Sequence, residues 1–192
     1  MNNKNYFAHE SSIVDDGAVV GKGTKIWHFS HVTSGARIGE NCNIGQNVFV
    51  GSGAVIGDNC KVQNNVSIYD RVILEDYVFC GPSMVFTNVI NPRAHVSRKK
   101  EFKQTLVRKG ATLGANCTIL CGNTIGEYAF VGGAAVVTRD VPPCALMLGN
   151  PAKISGWICE CGVKISFADG TATCEACGKN YEKIDETEIR RT

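Results

Sequence analysis

The sequence predicts an all-β chain built as a parallel β-helix of about six coils, with one extruded loop and a small cysteine-rich C-terminal extension. Two observations lead to this fold. A large apolar residue returns at every sixth position over most of the chain, and 21 glycines accompany only 8% aromatic residues, which is typical of a turn-rich repetitive architecture. A third observation, a single interruption of the period, predicts where the loop leaves the coil.

The apolar repeat runs in two blocks. The first block is Val14, Val20, Ile26, Val32, Ile38, Ile44, Val50, Ile56, Val62, Ile68, Leu74, Cys80 and Phe86, and the second is Val107, Leu113, Ile119, Ile125, Val131 and Val137. A period of six fits neither a helix nor a simple alternating strand, but it fits a triangular coil with one short strand on each side. Glycine often follows the apolar residue, as at Gly45, and we expect it to permit the backbone conformation of the turn.

The interruption lies between Phe86 and Val107, whose separation in the chain is not a multiple of six. Extruding fifteen of the intervening residues would restore the phase, so the sequence predicts a loop over 88–104. The loop carries Asn91-Pro92-Arg93 and the basic run Arg98-Lys99-Lys100. Long loops on a regular scaffold are usually functional or disordered.

Residues of equivalent position in successive coils should stack into columns. One outward column is uncharged, with hydrogen-bonding side chains in its early half and small residues in its late half; it reads His28, Gln46, Asn64, Pro82, Ala115 and Gly133. The column suits either a groove for a slender ligand or a contact between subunits, and both interpretations stay open. Because strand side chains alternate, His31 should point away from His28.

Composition narrows the function classes. The formal net charge is +2 and no basic run is dense enough to follow a phosphate backbone, which argues against nucleic acid as a partner. The N-terminus is polar and no stretch approaches a membrane span, so we expect a cytoplasmic protein without a membrane partner. In a reducing compartment the ten cysteines should not form disulfides.

Four cysteines close to the C-terminus form two pairs, each followed by glycine: Cys159 and Cys161, then Cys174 and Cys177. Four thiolates could hold a structural zinc ion, although the first pair has one intervening residue instead of two. Metal-free thiols are the alternative. We therefore divide the chain into a β-helix over 1–143 and an extension over 144–192, with possible zinc knuckles at 159–178.

Several segments are more specific than the repeat alone. They are Ile26-Trp27-His28-Phe29-Ser30-His31-Val32, Gly45-Gln46-Asn47-Val48, Phe86-Thr87-Asn88, Gly132-Gly133-Ala134-Ala135-Val136-Val137 and Gly149-Asn150-Pro151-Ala152. With them the chain resembles the hexapeptide-repeat acyltransferases, and among these the bacterial N-acetyltransferases that modify the 3-amino group of nucleotide-linked sugars. The resemblance implies a left-handed coil, a homotrimer with sites between neighbouring subunits, and acetyl-CoA as cosubstrate.

The same resemblance implies the acceptor and its binding residues. The acceptor would be UDP-2-acetamido-3-amino-2,3-dideoxyglucuronate, in the synthesis of O-antigen sugars of lipopolysaccharide, with a dTDP-linked 3-amino sugar as the alternative. Acetyl-CoA would lie along the late coils, near Ala115, Gly132, Gly133, Ala134, Arg139 and Lys153. The sugar nucleotide would contact His31, Gln46, Asn64, Phe86, Arg93 and Arg98.

The implied reaction is attack of the sugar amine on the thioester. Asn88 is the first candidate to orient the amine or the thioester oxygen, and His28 is the second, as a base or hydrogen-bond partner. His95, in the loop, is the third candidate. Histidine is absent from the second block, so direct attack without a protein base is an alternative. Two other classes stay open: a zinc hydratase of the carbonic-anhydrase type, which shares the coil, and a non-enzymatic scaffold.

Overall fold

A computed structural model describes residues 5–192, and within them it contains strands, turns and one three-residue 3-10 helix, Lys99–Glu101. The strands before the loop are β1 (Phe7–Ala8), β2 (Ile13–Val14), β3 (Val19–Val20), β4 (Lys25–Ile26), β5 (His31–Val32), β6 (Arg37–Ile38), β7 (Asn43–Ile44), β8 (Phe49–Val50), β9 (Val55–Ile56), β10 (Lys61–Val62), β11 (Ser67–Ile68), β12 (Val72–Leu74), β13 (Phe79–Cys80) and β14 (Val85–Phe86). Those after it are β15 (Thr105–Val107), β16 (Thr112–Leu113), β17 (Thr118–Ile119), β18 (Thr124–Ile125), β19 (Phe130–Val131), β20 (Val136–Val137), β21 (Ala145–Leu148), β22 (Lys153–Ile158), β23 (Lys164–Ile165), β24 (Thr171–Thr173), β25 (Asn180–Lys183) and β26 (Ile189–Arg191). No helix in this described range could cross a membrane.

Strands on the same face of the coil, three apart in chain order through most of the chain, pair in parallel. This pairing confirms the predicted parallel β-helix. The first face stacks β1, β4, β7, β10, β13, β16, β19 and β21; the second stacks β2, β5, β8, β11, β14, β17 and β20; the third stacks β3, β6, β9, β12, β15 and β18. The coil makes about eight turns, more than the six predicted. The difference arises at the ends, because β1 precedes the first residue of the apolar repeat and β21 follows the last.

The apolar residue of each unit fills the interior of the coil. Ile26, Ile44 and Val62 are completely buried, and the cysteines Cys60 and Cys117 occupy small interior positions of the same core. Burial raises the pKa of Cys117 to about 12, so its thiol stays protonated near neutral pH. These interior thiols therefore pack as small hydrophobes.

The glycine after the apolar residue does not make the turn, so that part of the prediction was wrong. A Cβ at Gly45 would lie 2.7 Å from Asn64 Oδ1 and 2.9 Å from the Asn64 backbone nitrogen. The left-handed conformation falls two residues later, at Asn47, where φ is 56°. Gly45 is thus needed for the close approach of the next coil, whereas the turn uses asparagine, which tolerates this conformation better than most residues.

Strand register confirms the length of the extruded loop. On the first face Phe79 pairs with Lys61 in the coil before it and with Thr112 in the coil after it. The second of these intervals in the chain exceeds the first by fifteen positions, the predicted length of the insertion. The loop leaves the coil between the second and third faces, and the Lys103 backbone N–H donates to the Asn88 carbonyl at 3.0 Å and closes its base. The coil therefore continues through the insertion without a change of phase.

Beyond the coil the chain turns back on itself. β22 pairs antiparallel with β21, and β23 pairs antiparallel with β22, so both extend the first face. β24, β25 and β26 form a separate antiparallel sheet. The division of the chain at residue 143 stays a prediction; β21, just beyond it, stacks on β19 of the coil.

Candidate functional site

The predicted uncharged column lies at one corner of the coil, in the turns between the first and second faces; we call it the corner column. Its members stack through the backbone. The Asn47 N–H donates to the His28 carbonyl at 2.9 Å, and Asn116 N–H donates to the Pro82 carbonyl at 3.1 Å across the loop insertion. The column is therefore continuous from the early coils to the late ones.

The early end of the corner column is aromatic. The rings of His28 and His9 stack with centroids 3.5 Å apart, and Trp27 and Phe29 on either side are 36% and 64% exposed. His28 is half-buried, and neither ring nitrogen has a hydrogen-bond partner within residues 5–192. The imidazole is thus held by stacking while its nitrogens stay available.

His31 opens into a small cavity on the second face, on the other side of the turn from His28. The cavity has a volume of about 290 Å³, and its lining includes Phe29, His31, Asn47 and Phe49. His31 Nε2 lies 3.1 Å from Asp15 Oδ1. A carboxylate on one ring nitrogen orients the imidazole and leaves the other nitrogen free for a ligand.

Sequence analysis missed Asp15. The repeat alone could have predicted that Asp15 lies beside His31, because Ile13 and His31 occupy equivalent places in successive coils and pair in register. Asp15 follows Ile13 by two residues and so emerges beside the histidine. The predicted column passes through His28 and includes none of the side chains that flank His31.

Two polar members of the corner column, Gln46 and Asn64, are joined by a hydrogen bond between successive coils. Asn64 Oδ1 accepts a hydrogen bond from the Gln46 backbone N–H at 2.8 Å. The carboxamide oxygen of Asn64 is therefore engaged with the neighbouring coil. Its NH₂ group is the part that can face a ligand.

The late end of the corner column is small. A Cβ at Gly132 would meet Leu148 Cδ2 and would lie 3.3 Å from the Met147 carbonyl oxygen. Leu148 is exposed and its side chain can shift, so packing against β21 explains this glycine only in part. At Gly133 a Cβ would meet only the Ala115 carbonyl oxygen, at 3.3 Å. Ala134 takes the left-handed turn position, with φ of 58°. The exposed surface with open space beside the backbone lies at Gly133, next to Ala115 and Ala134.

A larger cavity, which we call the terminal cavity, brings Arg139 and Lys153 together. It has a volume of about 450 Å³ and is lined by Arg139, Asp140, Pro142, Met147, Ala152, Lys153, Ile154 and Thr187. Asp140 Oδ1 accepts from the Thr124 backbone N–H at 2.7 Å and so has a structural partner. Two cations beside an apolar wall suit a ligand that carries both phosphate and apolar groups.

The extruded loop presents cations above Asn88. A loop cavity of about 510 Å³ is lined in part by Arg93, His95, Arg98 and Lys99. Arg98 is already paired with Glu101, with 2.9 Å between Nη1 and Oε2, whereas Arg93 has no ionic partner within the described residues. Arg93 is thus freer than Arg98 to meet an anionic ligand.

Phe86 does not belong to this surface. It is the inward residue of β14, is 1% exposed and fills the coil interior. Its side chain cannot reach a sugar bound outside the coil, which corrects the expectation that it contacts the substrate. A strand residue of the apolar repeat faces the interior by the same alternation that defines the repeat.

A single chain does not bring all of the predicted residues together. His28 precedes β5 and Asn88 follows β14, and these strands are three steps apart on the second face. At about 4.8 Å per step the two residues are separated by roughly 14 Å along the axis, and they also lie at opposite edges of that face. The four C-terminal cysteines form their own cluster, with all Sγ atoms within 4.8 Å of one another.

Comparisons with known proteins identify the repeat, and they include relatives that match over less than half of their length. Residues 17–52 match the model of the bacterial transferase hexapeptide (six repeats), and residues 35–70 match that of the hexapeptide repeat of succinyl-transferase. A dTDP-3-amino-3,6-dideoxy-alpha-D-galactopyranose 3-N-acetyltransferase from Aneurinibacillus thermoaerophilus is 52% identical over 86 residues, 45% of this chain and 44% of the relative. A putative acetyltransferase of Schizosaccharomyces pombe is 31% identical over 85 residues, 43% of this chain and 41% of that protein. The chain thus spans less than half the length of these curated relatives.

Solved structures share the coil. The acetyltransferase domain of PglB from Neisseria gonorrhoeae, in complex with acetyl coenzyme A, superposes with a TM-score of 0.51 at 19% identity and covers 78% of this chain and 57% of that one. WeeI from Acinetobacter baumannii gives a TM-score of 0.50 at 23% identity, covering 76% and 55%. At these identities the likeness is one of fold.

Proposed function

We propose that this chain transfers the acetyl group of acetyl-CoA to the 3-amino group of a nucleotide-linked sugar. The observation that carries the proposal is the 52% identity over 86 residues to an enzyme named for 3-N-acetylation of a dTDP-linked amino sugar. The geometry agrees, because the chain offers a cationic, partly apolar cavity at its late coils and polar groups at its early coils.

The chemistry asks little of the protein. The neutral amine attacks the thioester carbonyl carbon, a C–N bond forms, and the carbonyl oxygen becomes an oxyanion. When the C–S bond breaks, CoA leaves as a thiolate, and the amine proton passes to a base or to that thiolate. The protein must orient the two reactants and stabilise the oxyanion. A covalent cysteine is not required, since the thioester is already activated.

Asn88 and His28 are the proposed catalytic residues. The Asn88 carbonyl closes the loop base, while its carboxamide has no hydrogen-bond partner within residues 5–192 and can orient the amine or the oxyanion. His28, with both ring nitrogens available, would accept the proton or hydrogen-bond the sugar. His31, oriented by Asp15, would bind the sugar nucleotide together with Gln46 and Asn64.

Acetyl-CoA would lie along the late half of the corner column. The thin pantetheine arm fits against Ala115, Gly133 and Ala134, where there is no large side chain. Arg139 and Lys153 in the terminal cavity would then meet CoA phosphates. Gly132 would support this groove through its packing against Leu148 and not through contact with the cofactor.

A homotrimer with sites between subunits completes the proposal. Support comes from the separation of the two proposed catalytic residues within one chain, about 14 Å along the axis. A neighbouring coil laid against the second face could bring the loop of one subunit to the corner column of another. Exposed aromatic residues at the early corner, Trp27 and Phe29, suit such a contact.

For the acceptor we propose UDP-2-acetamido-3-amino-2,3-dideoxyglucuronate, which would place the chain in the synthesis of O-antigen sugars. The uronate carboxylate adds a negative charge near the diphosphate. The loop carries Arg93, Arg98, Lys99, Lys100 and Lys103 against one acidic residue, Glu101. Arg93 is the first choice for that carboxylate because Arg98 is paired with Glu101.

A dTDP-linked 3-amino sugar is the second candidate acceptor. The observation in its favour is the named substrate of the Aneurinibacillus relative. Such a 6-deoxy sugar has no carboxylate, so it would make no use of Arg93 beyond the diphosphate. The two acceptors can therefore be told apart by Arg93→Ala as well as by direct assay.

The decisive experiment follows release of free CoA thiol from acetyl-CoA by the purified protein. We expect release with the UDP-linked uronate, none without sugar, and a slower rate with the dTDP-linked 3-amino sugar. Release with the dTDP-linked sugar alone would replace the acceptor and keep the reaction. No release with either sugar, from protein shown to be folded, would contradict the acetyltransferase proposal.

A further inference from the structure

The C-terminal extension contains two β-hairpins whose tips carry all four clustered cysteines. β22 and β23 form the first hairpin, and its connection holds Cys159 and Cys161. β24 and β25 form the second, and its connection holds Cys174 and Cys177. Two hairpin tips that each offer a pair of thiols across a common space are the arrangement of a zinc ribbon.

The distances between the sulfur atoms fit a tetrahedral metal ion. Cys159 Sγ and Cys177 Sγ are 3.4 Å apart, Cys161 Sγ and Cys174 Sγ are 3.5 Å apart, and all four lie within 4.8 Å of one another. A zinc ion bonded to four thiolates at about 2.3 Å requires sulfur atoms about 3.8 Å apart. The close pairs join one hairpin to the other, as expected for sulfurs that surround a single centre.

The backbone around each pair is shaped for thiolates. The backbone N–H groups of Val163 and Lys179 approach the sulfurs of Cys161 and Cys177, respectively. Each donor follows a glycine in the left-handed conformation, Gly162 with φ of 90° and Gly178 with φ of 72°. Hydrogen bonds from the surroundings to metal-bound sulfur orient the ligands and strengthen metal binding.

Other contacts fasten the two hairpins around the same point. The buried Tyr181 donates its hydroxyl proton to Cys159 Sγ at 3.1 Å and accepts from the Glu160 backbone N–H at 3.0 Å. Glu160, at the first tip, forms ion pairs with Lys179 at the second tip and with Arg191 of β26. The buried side of the cluster, at Cys159 and Cys174, is thus held by several contacts, while Cys161 and Cys177 are exposed.

We propose that Cys159, Cys161, Cys174 and Cys177 bind one structural Zn²⁺ ion, and that this ion holds the segment that completes the terminal cavity. β25 runs directly from the second tip to residues 184–188, whose Thr187 lines that cavity beside Arg139 and Lys153. The outer sheet has little apolar core, so the metal would supply much of its stability. The effect on the cavity rests on the proposed function, whereas the metal site does not.

The first test is the metal content of the full chain, produced with zinc in the medium and measured by elemental analysis. We expect one zinc per chain in the wild type and in Cys144→Ala, a matched control that removes a cysteine outside the cluster. Cys174→Ala should lose the zinc. Iron at one equivalent, or no metal in folded wild-type protein even after incubation with zinc, would overturn the proposal.

A second variant covers the case in which Cys174→Ala fails to fold. Tyr181→Phe keeps the ring and removes the hydroxyl that bonds Cys159, and it should weaken zinc binding about tenfold or more in competition with a chelator. Replacement of zinc by Co²⁺ should give the intense visible bands of tetrahedral thiolate coordination. A Co²⁺ spectrum without them would overturn the four-thiolate site, whether or not acetyl transfer is observed.

Discussion

Gly45 and Gly133 lie one position apart in the repeating unit, yet the structure requires them to be small for different reasons. Gly45 faces the backbone of the next coil, with no room for a methyl group, whereas Gly133 faces a nearly open surface. Gly45 is therefore required for adjacent coils to stack closely, whereas Gly133 leaves space for a ligand. Substitution by alanine separates the two effects.

Gly45→Ala should destabilise the coil. The added Cβ would approach Asn64 Oδ1 to 2.7 Å and two backbone atoms to 2.9 Å, which forces adjacent coils apart. Overpacking of this kind costs about 1–3 kcal/mol. Thermal or urea unfolding would measure the cost. An unchanged unfolding midpoint would show that adjacent coils can move apart at a smaller cost in free energy than these distances indicate.

Gly133→Ala should leave the unfolding midpoint almost unchanged, because the new methyl group would meet only one carbonyl oxygen at 3.3 Å. It should nevertheless narrow the proposed pantetheine groove. We expect the KM for acetyl-CoA to rise about tenfold, equivalent to about 1.4 kcal/mol, with the KM for the sugar unchanged. Equal effects on both KM values, or none, would contradict the placement of the cofactor.

Asn88→Ala should lower kcat by about a hundredfold with little change in either KM, since loss of one donor to an oxyanion has an effect of about that size. Ser34→Ala is the matched control, as Ser34 occupies the same corner of the coil three turns earlier. Steady-state assays of CoA release would compare the two. Normal turnover by Asn88→Ala would remove this residue from the mechanism.

At the scale of elements, the sequence predicts the coil well and the hairpins poorly. Six-residue periodicity is visible because an apolar residue fills the interior in every unit, and the interrupted phase identifies the length of the loop for the same reason. The extension has no such repeat. Its cysteine spacing indicates the proposed metal ligands, but the strands beside them are short and have no regular alternation of apolar residues, so they leave little signal in the sequence.

We expect that the loop can be removed without disturbing the coil, provided that Phe86 and Val107 are then six positions apart. Deleting residues 89–103 and adding Gln104→Gly, so that the new turn has glycine at its left-handed position, should leave the unfolding midpoint within a few degrees of the wild type. Acetyl-CoA should still bind, while sugar turnover should be lost. Calorimetry and CoA release would measure the two effects.

A deletion longer by one residue, of residues 89–104, is the control for phase. It leaves Phe86 and Val107 only five positions apart, with no surplus residue to extrude, so interior side chains would face outward after the junction and we expect it not to fold. If both deletions fold equally well, the register of the coil is not set by the repeat. If the deletion of residues 89–103, which keeps the phase, also keeps sugar turnover, the loop does not hold the acceptor.

For the whole molecule, we propose that the site combines residues from two chains. Asn88 and the loop lie at one corner, and the groove at Gly133 lies at another, in later coils. No column analysis of a single sequence can show how two coils meet, because the surface that forms the contact has no period of its own. The subunit arrangement is therefore the part of the site that sequence reasoning left least determined.

Mixing inactive subunits tests that arrangement. A bulky substitution, Gly133→Trp, should block cofactor binding, and Asn88→Ala should impair chemistry. If each site combines these residues from different subunits, co-refolded mixed trimers should recover about one quarter of the sites. Recovery should be absent if both residues act within one chain. Activity of the mixture, with the separately refolded variants as the baseline, distinguishes the two arrangements.

The extruded loop has a consequence for how such a protein can change over evolutionary time. Since the coil resumes its phase after the loop, replacing that loop by another would alter one wall of the proposed site and leave the proposed acetyl-CoA groove where it was. Acceptor preference and acetyl delivery can then vary independently. A lineage could change its acceptor sugar by replacing this one loop, while the coil stays the same.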